Sequence, residues 1–255
     1  MIAVLLVLAF VGLPVLAILV RVAVTGDLLA ALGRPIVVDA LRLSAFTTMS
    51  SLGLALLLGT PVAYLLARRR FRGQALVETL LELPLVLPPA VAGVGLLMAF
   101  GRKGILGEPL ASFGVTVAFT TAAVILTELF VAGPFYMRAA RAGFLSVNPE
   151  LETVSRTLGV SDWATFWRVT IPVAFPSLLG GAVMCWARAL AEFGATIMFA
   201  GSFQGRTQTM PLAIYAALES DLDAALALSA ILVIVSFGVL IALRLGVRRF
   251  GGAYG

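Results

Sequence analysis

Histidine is absent from this chain, and cysteine occurs once, at Cys185. Without imidazole the chain has no histidine metal ligand, general base or proton relay. A single cysteine can form neither an intramolecular disulfide nor a cysteine-based zinc cage. We therefore expect no metal site, and we expect Cys185, which lies in an apolar run, to be a small buried hydrophobic residue.

Charged residues are also scarce, at 12% of the 255 residues, whereas hydrophobic residues make up 61%. A soluble domain of this length carries roughly twice that share of charge. The mean hydropathy of +1.07 indicates that much of the apolar surface faces lipid. The net charge of +5 comes from basic residues at the ends of apolar runs. Membrane orientation is therefore a simpler cause than nucleic-acid binding, and no nucleic-acid partner is expected.

Six apolar runs approach or exceed the length that crosses the hydrocarbon layer, which takes about 20 helical residues. They cover residues 2–20, 44–67, 83–100, 117–137, 169–200 and 224–243. The sequence thus predicts an all-α integral membrane protein of about six transmembrane helices. No linker divides the runs, so residues 1–255 are expected to form a single domain. The first run lacks a preceding charge and a small-residue cleavage site, and it is expected to be a retained span.

The distribution of basic residues predicts the orientation of these spans. If the N-terminus faces the cytoplasm, the inner loops and tail hold eleven of the 18 Lys and Arg residues. The outer segments then hold six. The positive-inside rule favours this arrangement. We expect a multi-pass protein of the cell membrane with both termini in the cytoplasm.

The loop between the fourth and fifth runs predicts a short helix outside the membrane. Asn148 is suited to cap its start and Gly159 to end it. The apolar residues Leu151, Val154 and Leu158 are three and four positions apart and share one helix face. Such a helix either rests on lipid headgroups or enters a groove on a partner protein, and the residues themselves leave both readings open.

Charged residues inside an apolar run are costly and usually functional or paired. Arg188 and Glu192 are four residues apart in the fifth run, so they meet on one helix face. They form either a structural ion pair or part of an aqueous path. Gly194 and Thr196 follow them, at a place where small residues allow close helix approach or a local break.

Two other runs contain polar or helix-breaking residues that a pore would use. Pro88 in the third run removes a backbone donor, and it is either a packed kink or part of a lining. Thr47 and Ser51 belong to a polar face of the second run. That face either meets water or makes hydrogen bonds between helices.

The inner loop resembles the cytoplasmic loop shared by permease subunits of ABC importers. The family pattern is Glu-Ala-Ala, three residues, Gly, nine residues and then Ile-x-Leu-Pro. Glu152 takes the acidic position, Gly159 the glycine position and Pro172 the last position, while Val154 and Ser155 replace the small residues. The resemblance implies a type I ABC importer permease fold, with a coupling helix at about 148–162 that docks into a separate ATPase. The docking residues it implies are Glu150, Leu151, Glu152, Val154, Ser155, Leu158 and Gly159.

Two further segments, ELPLVLPPAVAGVGLL and ARALAEFGATIMFAGSFQ, are similar to the molybdate branch of these permeases. Sulfate and tungstate permeases are the related alternatives. The resemblance implies a homodimeric pore in membrane lipid, two ATPase subunits on the cytoplasmic side and an external oxoanion-binding protein. It implies alternating access rather than catalysis by this chain. The candidate path or gate residues are Arg188, Glu192, Gly194, Thr196, Pro88, Thr47 and Ser51.

No G-x-x-x-x-G-K-[ST] phosphate loop occurs in the chain. ATP and Mg are therefore expected on the partner ATPase, and no cofactor is expected here. A secondary transporter driven by an ion gradient is the alternative from another class, with Glu128 and Glu192 as its proton carriers. An intramembrane enzyme is disfavoured, because the chain has no histidine and no obvious Ser/Lys dyad at helical spacing.

Overall fold

The computed structural model describes residues 1–25 and 33–251. Residues 26–32 and 252–255, which the predicted single domain includes, lie outside the described residues. Side chains from residue 242 onward also lie outside them, including the basic residues of the predicted inner tail.

The described chain consists of helices joined by short turns. The α-helices are α1 Ile2–Thr25, α2 Pro35–Arg68, α3 Gln74–Val86, α4 Pro89–Phe100, α5 Gly107–Ser112, α6 Thr121–Ser146, α7 Pro149–Thr157, α8 Asp162–Thr165, α9 Ile171–Leu190, α10 Gly194–Phe199, α11 Met210–Leu218 and α12 Leu222–Gly251. One π turn, Phe166–Thr170, joins α8 to α9. It ends two residues before Pro172, which lacks the N–H that an α-helix would donate to the carbonyl of Arg168.

Five stretches of the described residues are long and apolar enough to cross a membrane. They are Ile2–Val24, Pro35–Arg68, Thr121–Ser146, Asp162–Leu190 and Leu222–Ile241. A sixth span forms if α3 and α4 are counted together, although they are bent by 118° where they meet. The prediction of an all-α protein with about six membrane spans is confirmed.

The third predicted run, 83–100, is wrong as a single helix. Leu87 and Pro88 each precede a proline, and both adopt extended backbone with ψ of 132° and 135°. A residue before proline is driven out of the α region by the proline ring. Two such residues in succession end α3, and Pro89 then starts α4 at its first position.

The fifth predicted run, 169–200, is also interrupted. Helix α9 ends at Leu190, and α10 begins at Gly194. Between them, Phe193 has φ of −132° and ψ of −57°, outside the helical region. The sequence suggests a local break as one reading of Gly194, and the structure contains one.

Helix α6 lies at the centre, with α2 packed on one side and α9 on the other. Small residues bring these helices close together. A Cβ atom on Gly181 of α9 would lie 2.6 Å from that of Ala139 in α6. Cys185, fully buried in the same core, is the small hydrophobic residue that its context predicts. Close helix contact is the usual source of association between spans, because lipid removes the hydrophobic drive between them.

Helix α1 contrasts with this core. It packs mainly against α12, and most of its apolar side chains are exposed, including Leu5 at 61% and Phe10 at 82%. An apolar helix with so little protein cover requires lipid or another chain around it.

Candidate coupling region and intramembrane cluster

Helix α7 starts and stops where its sequence predicts. The Asn148 side chain accepts a hydrogen bond of 3.0 Å from the backbone N–H of Glu150, as an N-cap does. Gly159 lies in the left-handed region at φ of 81°, a conformation that glycine adopts without strain. Ser161 then caps α8 by accepting from the N–H of Ala164. The helix is therefore held at a fixed position between two turns.

One side of α7 is apolar and uncovered. Leu151, Val154 and Leu158 are exposed by 45%, 56% and 77%, and Glu150 lies exposed in the first turn. These four are among the residues predicted to dock. Their exposure on a helix with defined ends leaves a small apolar surface available to a partner.

Two of the other three predicted docking residues, Glu152 and Ser155, face their own chain, whereas Gly159 is exposed. Glu152 is 4% exposed and Ser155 is 9% exposed. The Ser155 hydroxyl lies 2.9 Å from that of Thr165 in α8. Glu152 accepts hydrogen bonds of 2.8 Å from Arg68 of α2 and of 2.8 Å from Thr170 at the start of α9. A docking role for the helix stays a prediction, and these two side chains are turned away from the surface that would carry it.

Arg68 extends this contact to a further helix. The Nη2 atom that bonds Glu152 also donates to the carbonyl of Val147, at the end of α6, over 3.2 Å. Arg156 stands beside Glu152 and forms an ion pair of 2.9 Å with Asp162. The ends of α2, α6 and α7 and the beginning of α9 thus meet around one carboxylate.

A cleft of about 1430 Å³ opens between α2 and this loop region. Thr60 and Tyr64 of α2 lie along it, and Trp163 and Trp167 form part of its far wall. The two tryptophans are exposed by 71% and 51%. Exposed tryptophan beside a membrane span is typical of a membrane–water interface, because its ring is apolar and its N–H is polar.

The predicted ion pair lies at the break between α9 and α10. Arg188 and Glu192 are 2.8 Å apart, with side-chain exposures of 28% and 1%. Glu192 also accepts a 2.8 Å hydrogen bond from the N–H of Ala195, in the first turn of α10. The pair therefore holds the end of one helix to the beginning of the next. Whether it also gates a path stays a prediction.

The polar face of α2 makes hydrogen bonds between helices. Thr47 donates 2.8 Å to Glu128 of α6, and Ser44 accepts 2.8 Å from the N–H of Met210. Thr47, Ser51 and Thr196 are fully buried. In this conformation the three side chains lie inside the chain, and their predicted place in the path remains untested.

The structure brings the breaks of the third and fifth runs together. A Cβ atom on Gly194 would lie 2.8 Å from that of Pro89, and one on Gly93 would lie 2.6 Å from the carbonyl oxygen of Ala195. Pro88 is exposed beside this contact. Two interrupted helices that meet inside a membrane are typical of a transport path, because broken backbone is tolerated there only within protein or beside water.

The sequence did not single out Arg68 or Thr170 as functional residues. Arg68 opens a basic stretch, Arg68–Arg70, that indicated orientation alone, and Thr170 lies within the pattern of the resemblance without a role of its own. Their partner, Glu152, is 84 positions from Arg68 and 18 from Thr170. No local pattern signals contacts of that range.

Residues 55–251 match a family described as the inner membrane component of binding-protein-dependent transport systems. The chain belongs to this family. It is 43% identical over 239 residues to the molybdenum transport system permease protein ModB of Mycobacterium tuberculosis, covering 94% of this chain and 89% of that protein. It is 34% identical over 242 residues to the molybdate/tungstate permease protein WtpB of Thermococcus kodakarensis, covering 94% and 92%. The resemblance to ABC importer permeases is confirmed.

Solved structures place this permease in the same fold. A bacterial ABC transporter that imports the acidic polysaccharide alginate gives a TM-score of 0.76 at 16% identity, covering 98% of this chain and 93% of that one. The methionine transporter MetNI, in inward-facing conformations, gives 0.67 at 20% identity, covering 84% and 96%. The family match and this shared fold together make the chain a permease subunit of the ABC importer type.

Proposed function

We propose that this permease forms the pore of an importer for molybdate. The 43% identity to a molybdenum permease across 94% of the chain carries this proposal. Tungstate is the second candidate, because a permease named for both anions is 34% identical over the same share of the chain. Sulfate is the remaining alternative within the class.

Two copies of the chain enclose the path, and each presents its α7 to an ATPase subunit that holds ATP and Mg. This chain binds neither. The exposed apolar face of Leu151, Val154 and Leu158 supports such docking. The excess of basic residues on the same side supports a cytoplasmic position for α7 and both termini. The exposed side of α1 is available to the second copy or to lipid.

An external binding protein supplies most of the selectivity, and the permease passes the anion on without holding it tightly. The structure supports this division at Arg188, the basic residue predicted to lie within a span. Its charge is compensated by Glu192 at 2.8 Å. A paired cation attracts a dianion much less than a free one, so the path retains little charge with which to trap its substrate.

Transport follows alternating access. When the ATPases close around ATP, they move the two α7 helices together and turn the pore outward. The anion then leaves the binding protein for the cavity, and ATP hydrolysis returns the pore to its inward state. The helix breaks where α4 meets α10 are the parts of the path that we expect to rearrange.

The test is uptake of labelled molybdate into proteoliposomes that contain this chain, its ATPase and its binding protein, with tungstate and sulfate as competitors. Uptake that needs all three proteins and resists excess sulfate supports the proposal. Loss of uptake to sulfate would move the substrate to the sulfate branch. Uptake that continues without the ATPase and stops with a protonophore would instead support a secondary transporter.

A further inference from the structure

The carboxylate of Glu152 is enclosed by its own chain. One of its oxygens, Oε1, accepts from both Arg68 and Thr170 at 2.8 Å. The side chain of Glu152 is 5% exposed and that of Arg68 is 15% exposed, and Thr170 is fully buried. Glu152 and Arg68 line the inner wall of the cleft between α2 and the loop region. A partner that met only the apolar face of α7 would not contact this carboxylate.

These contacts add connections that the chain path does not supply. Glu152 reaches α2 through Arg68 and α9 through Thr170. Arg68 also bonds the carbonyl of Val147 at the end of α6, which the chain itself joins to α7. Helix α7 has only nine residues and ends near Gly159. Without the carboxylate, α7 would be held by its two turns, by the Ser155–Thr165 contact and by packing.

Stability alone gives a weak reason for this arrangement. Removing two charges from water costs free energy that their attraction only partly returns, and apolar side chains of similar size are often as stable. An ion pair with hydrogen bonds does add a directional constraint. The bonded groups must move together, because the bonds hold only in a narrow geometry. A contact that joins four elements at the helix predicted to meet the ATPase is suited to pass on a displacement.

We propose that Glu152 is a positioning residue that couples α7 to α2, α6 and α9 of its own chain. Movement of α7 by the ATPase then reaches α2 and α9 through side-chain contacts of Glu152, and α6 through Arg68, as well as through the covalent loop. This inference rests on the proposed function, since it takes α7 as the helix that the ATPase moves. The docking contact itself belongs to the exposed side chains of Leu151, Val154 and Leu158.

The test replaces the pair with apolar side chains of similar size in the full complex. Arg68→Met with Glu152→Leu leaves no buried charge unpaired, so the permease should keep its thermal stability. ATPase binding should also be unchanged, because the exposed face of α7 is intact. The number of ATP molecules hydrolysed for each molybdate taken up should rise about tenfold. Mutations in coupling elements typically change the coupling between two sites by a factor of this size.

A matched control exists on the same side of the molecule. Arg141 of α6 and Glu78 of α3 form an ion pair of 2.7 Å, with side-chain exposures of 33% and 26%. Arg141→Met with Glu78→Leu removes a cross-helix ion pair that does not involve α7. That variant should hydrolyse the same amount of ATP per molybdate as the wild type.

A milder variant serves if the double replacement fails to fold. Thr170→Val removes one hydroxyl donor at nearly constant volume, and the ATP used per molybdate should rise about threefold. An unchanged ratio in the folded variants would overturn the inference. Loss of ATPase binding would overturn it too, because Glu152 would then act in docking. A wild-type chain that recruits no ATPase would instead overturn the proposed function, before any variant is compared.

Discussion

Two buried carboxylates organise this permease at different depths, and they are connected in different ways. Glu192, at the break between α9 and α10, is paired with Arg188 four residues earlier and with the N–H of Ala195 three residues later. Glu152, at the end of the bundle that carries α7, pairs with Arg156 four residues later at 3.7 Å and is also bound to residues 84 and 18 positions away. The first holds a local bend in one stretch of chain. The second joins elements that are distant in sequence.

This difference predicts that one carboxylate maintains the local shape of the chain and the other transmits movement between helices. A carboxylate with local partners fixes the geometry of its own helix break, and its loss should appear as lost stability. A carboxylate with distant partners relates whole helices to one another, and its loss should appear as lost coupling. The predictions below test whether the two regions divide in this way.

The largest expected effect is on stability, at the mid-membrane pair. Arg188→Met leaves the carboxylate of Glu192, whose side chain is 1% exposed, without its cation. We expect a loss of about 3 kcal/mol in the free energy of unfolding. Arg188→Met with Glu192→Gln should cost less, because no charge remains and the amide oxygen still accepts from Ala195. Thermal unfolding of the two variants in lipid nanodiscs gives the comparison, and a double variant no more stable than Arg188→Met would contradict an unpaired charge as the cause of the loss.

The contact between α4 and α10 should respond next. Gly93→Ala places a Cβ atom 2.6 Å from the carbonyl oxygen of Ala195, so backbone has to shift. We expect a destabilisation of about 1–3 kcal/mol and slower uptake. Gly95→Ala is the matched control, because nothing lies within 4 Å of its added Cβ atom. If the two variants unfold at the same temperature, the close approach of the broken helices does not stabilise the fold.

The turn after α7 tests the inner region with a smaller change in stability. Gly159 has φ of 81°, so Gly159→Val should cost about 1–2 kcal/mol and misplace the end of the coupling helix. Uptake per ATP should fall. Gly159→Asn should retain most of the coupling, because asparagine tolerates the left-handed region better than other residues with a side chain. Normal coupling in the valine variant would remove the fixed end of α7 from the mechanism.

The smallest effect is expected at the outer surface, where Asp221 pairs with Arg34. The N–H of Ala224 donates to the Asp221 carboxylate and, with Arg34, lowers its pKa below the usual 3.8. A carboxyl group with a lowered folded pKa stabilises the fold above its unfolded pKa, and that contribution is lost as pH falls through the folded value. Asp221→Asn should therefore weaken the dependence of unfolding temperature on pH below about 4. A pH profile identical to that of the wild type would show that this pair contributes nothing measurable.

Much of the fold could be predicted because its signals are local. The lengths of the apolar runs predicted the membrane spans, and Asn148 and Gly159 predicted the two ends of α7. The two prolines at 88 and 89 also carry a local signal, since each restricts the residue before it, and a kink at Pro88 was one of the predicted alternatives. The angle of 118° that follows was beyond prediction, because the packing of α4 on α10 decides it.

The candidate site was predicted less completely. Helical spacing brought Arg188 to Glu192, and helical periodicity grouped the apolar face of α7. Periodicity also shows that Glu152 and Ser155 share a side of α7, but not which side the protein covers. That depends on where α2 and α9 end, and those positions follow from the packing of α6 between them.

The sequence by itself determined that the protein lies in lipid, which segments span the membrane and where the coupling helix begins and ends. Hydropathy, proline, glycine and capping residues decide these features, because they act within a few positions of the chain. Only the tertiary structure decided that Glu152 faces inward to Arg68 and Thr170 and that the breaks of two spans meet at Gly93 and Gly194. The physical reason is the distance along the chain between the residues that make contact. A hydrogen bond or a close backbone contact between distant segments exists only when the intervening helices have packed, and no property of either segment alone records it.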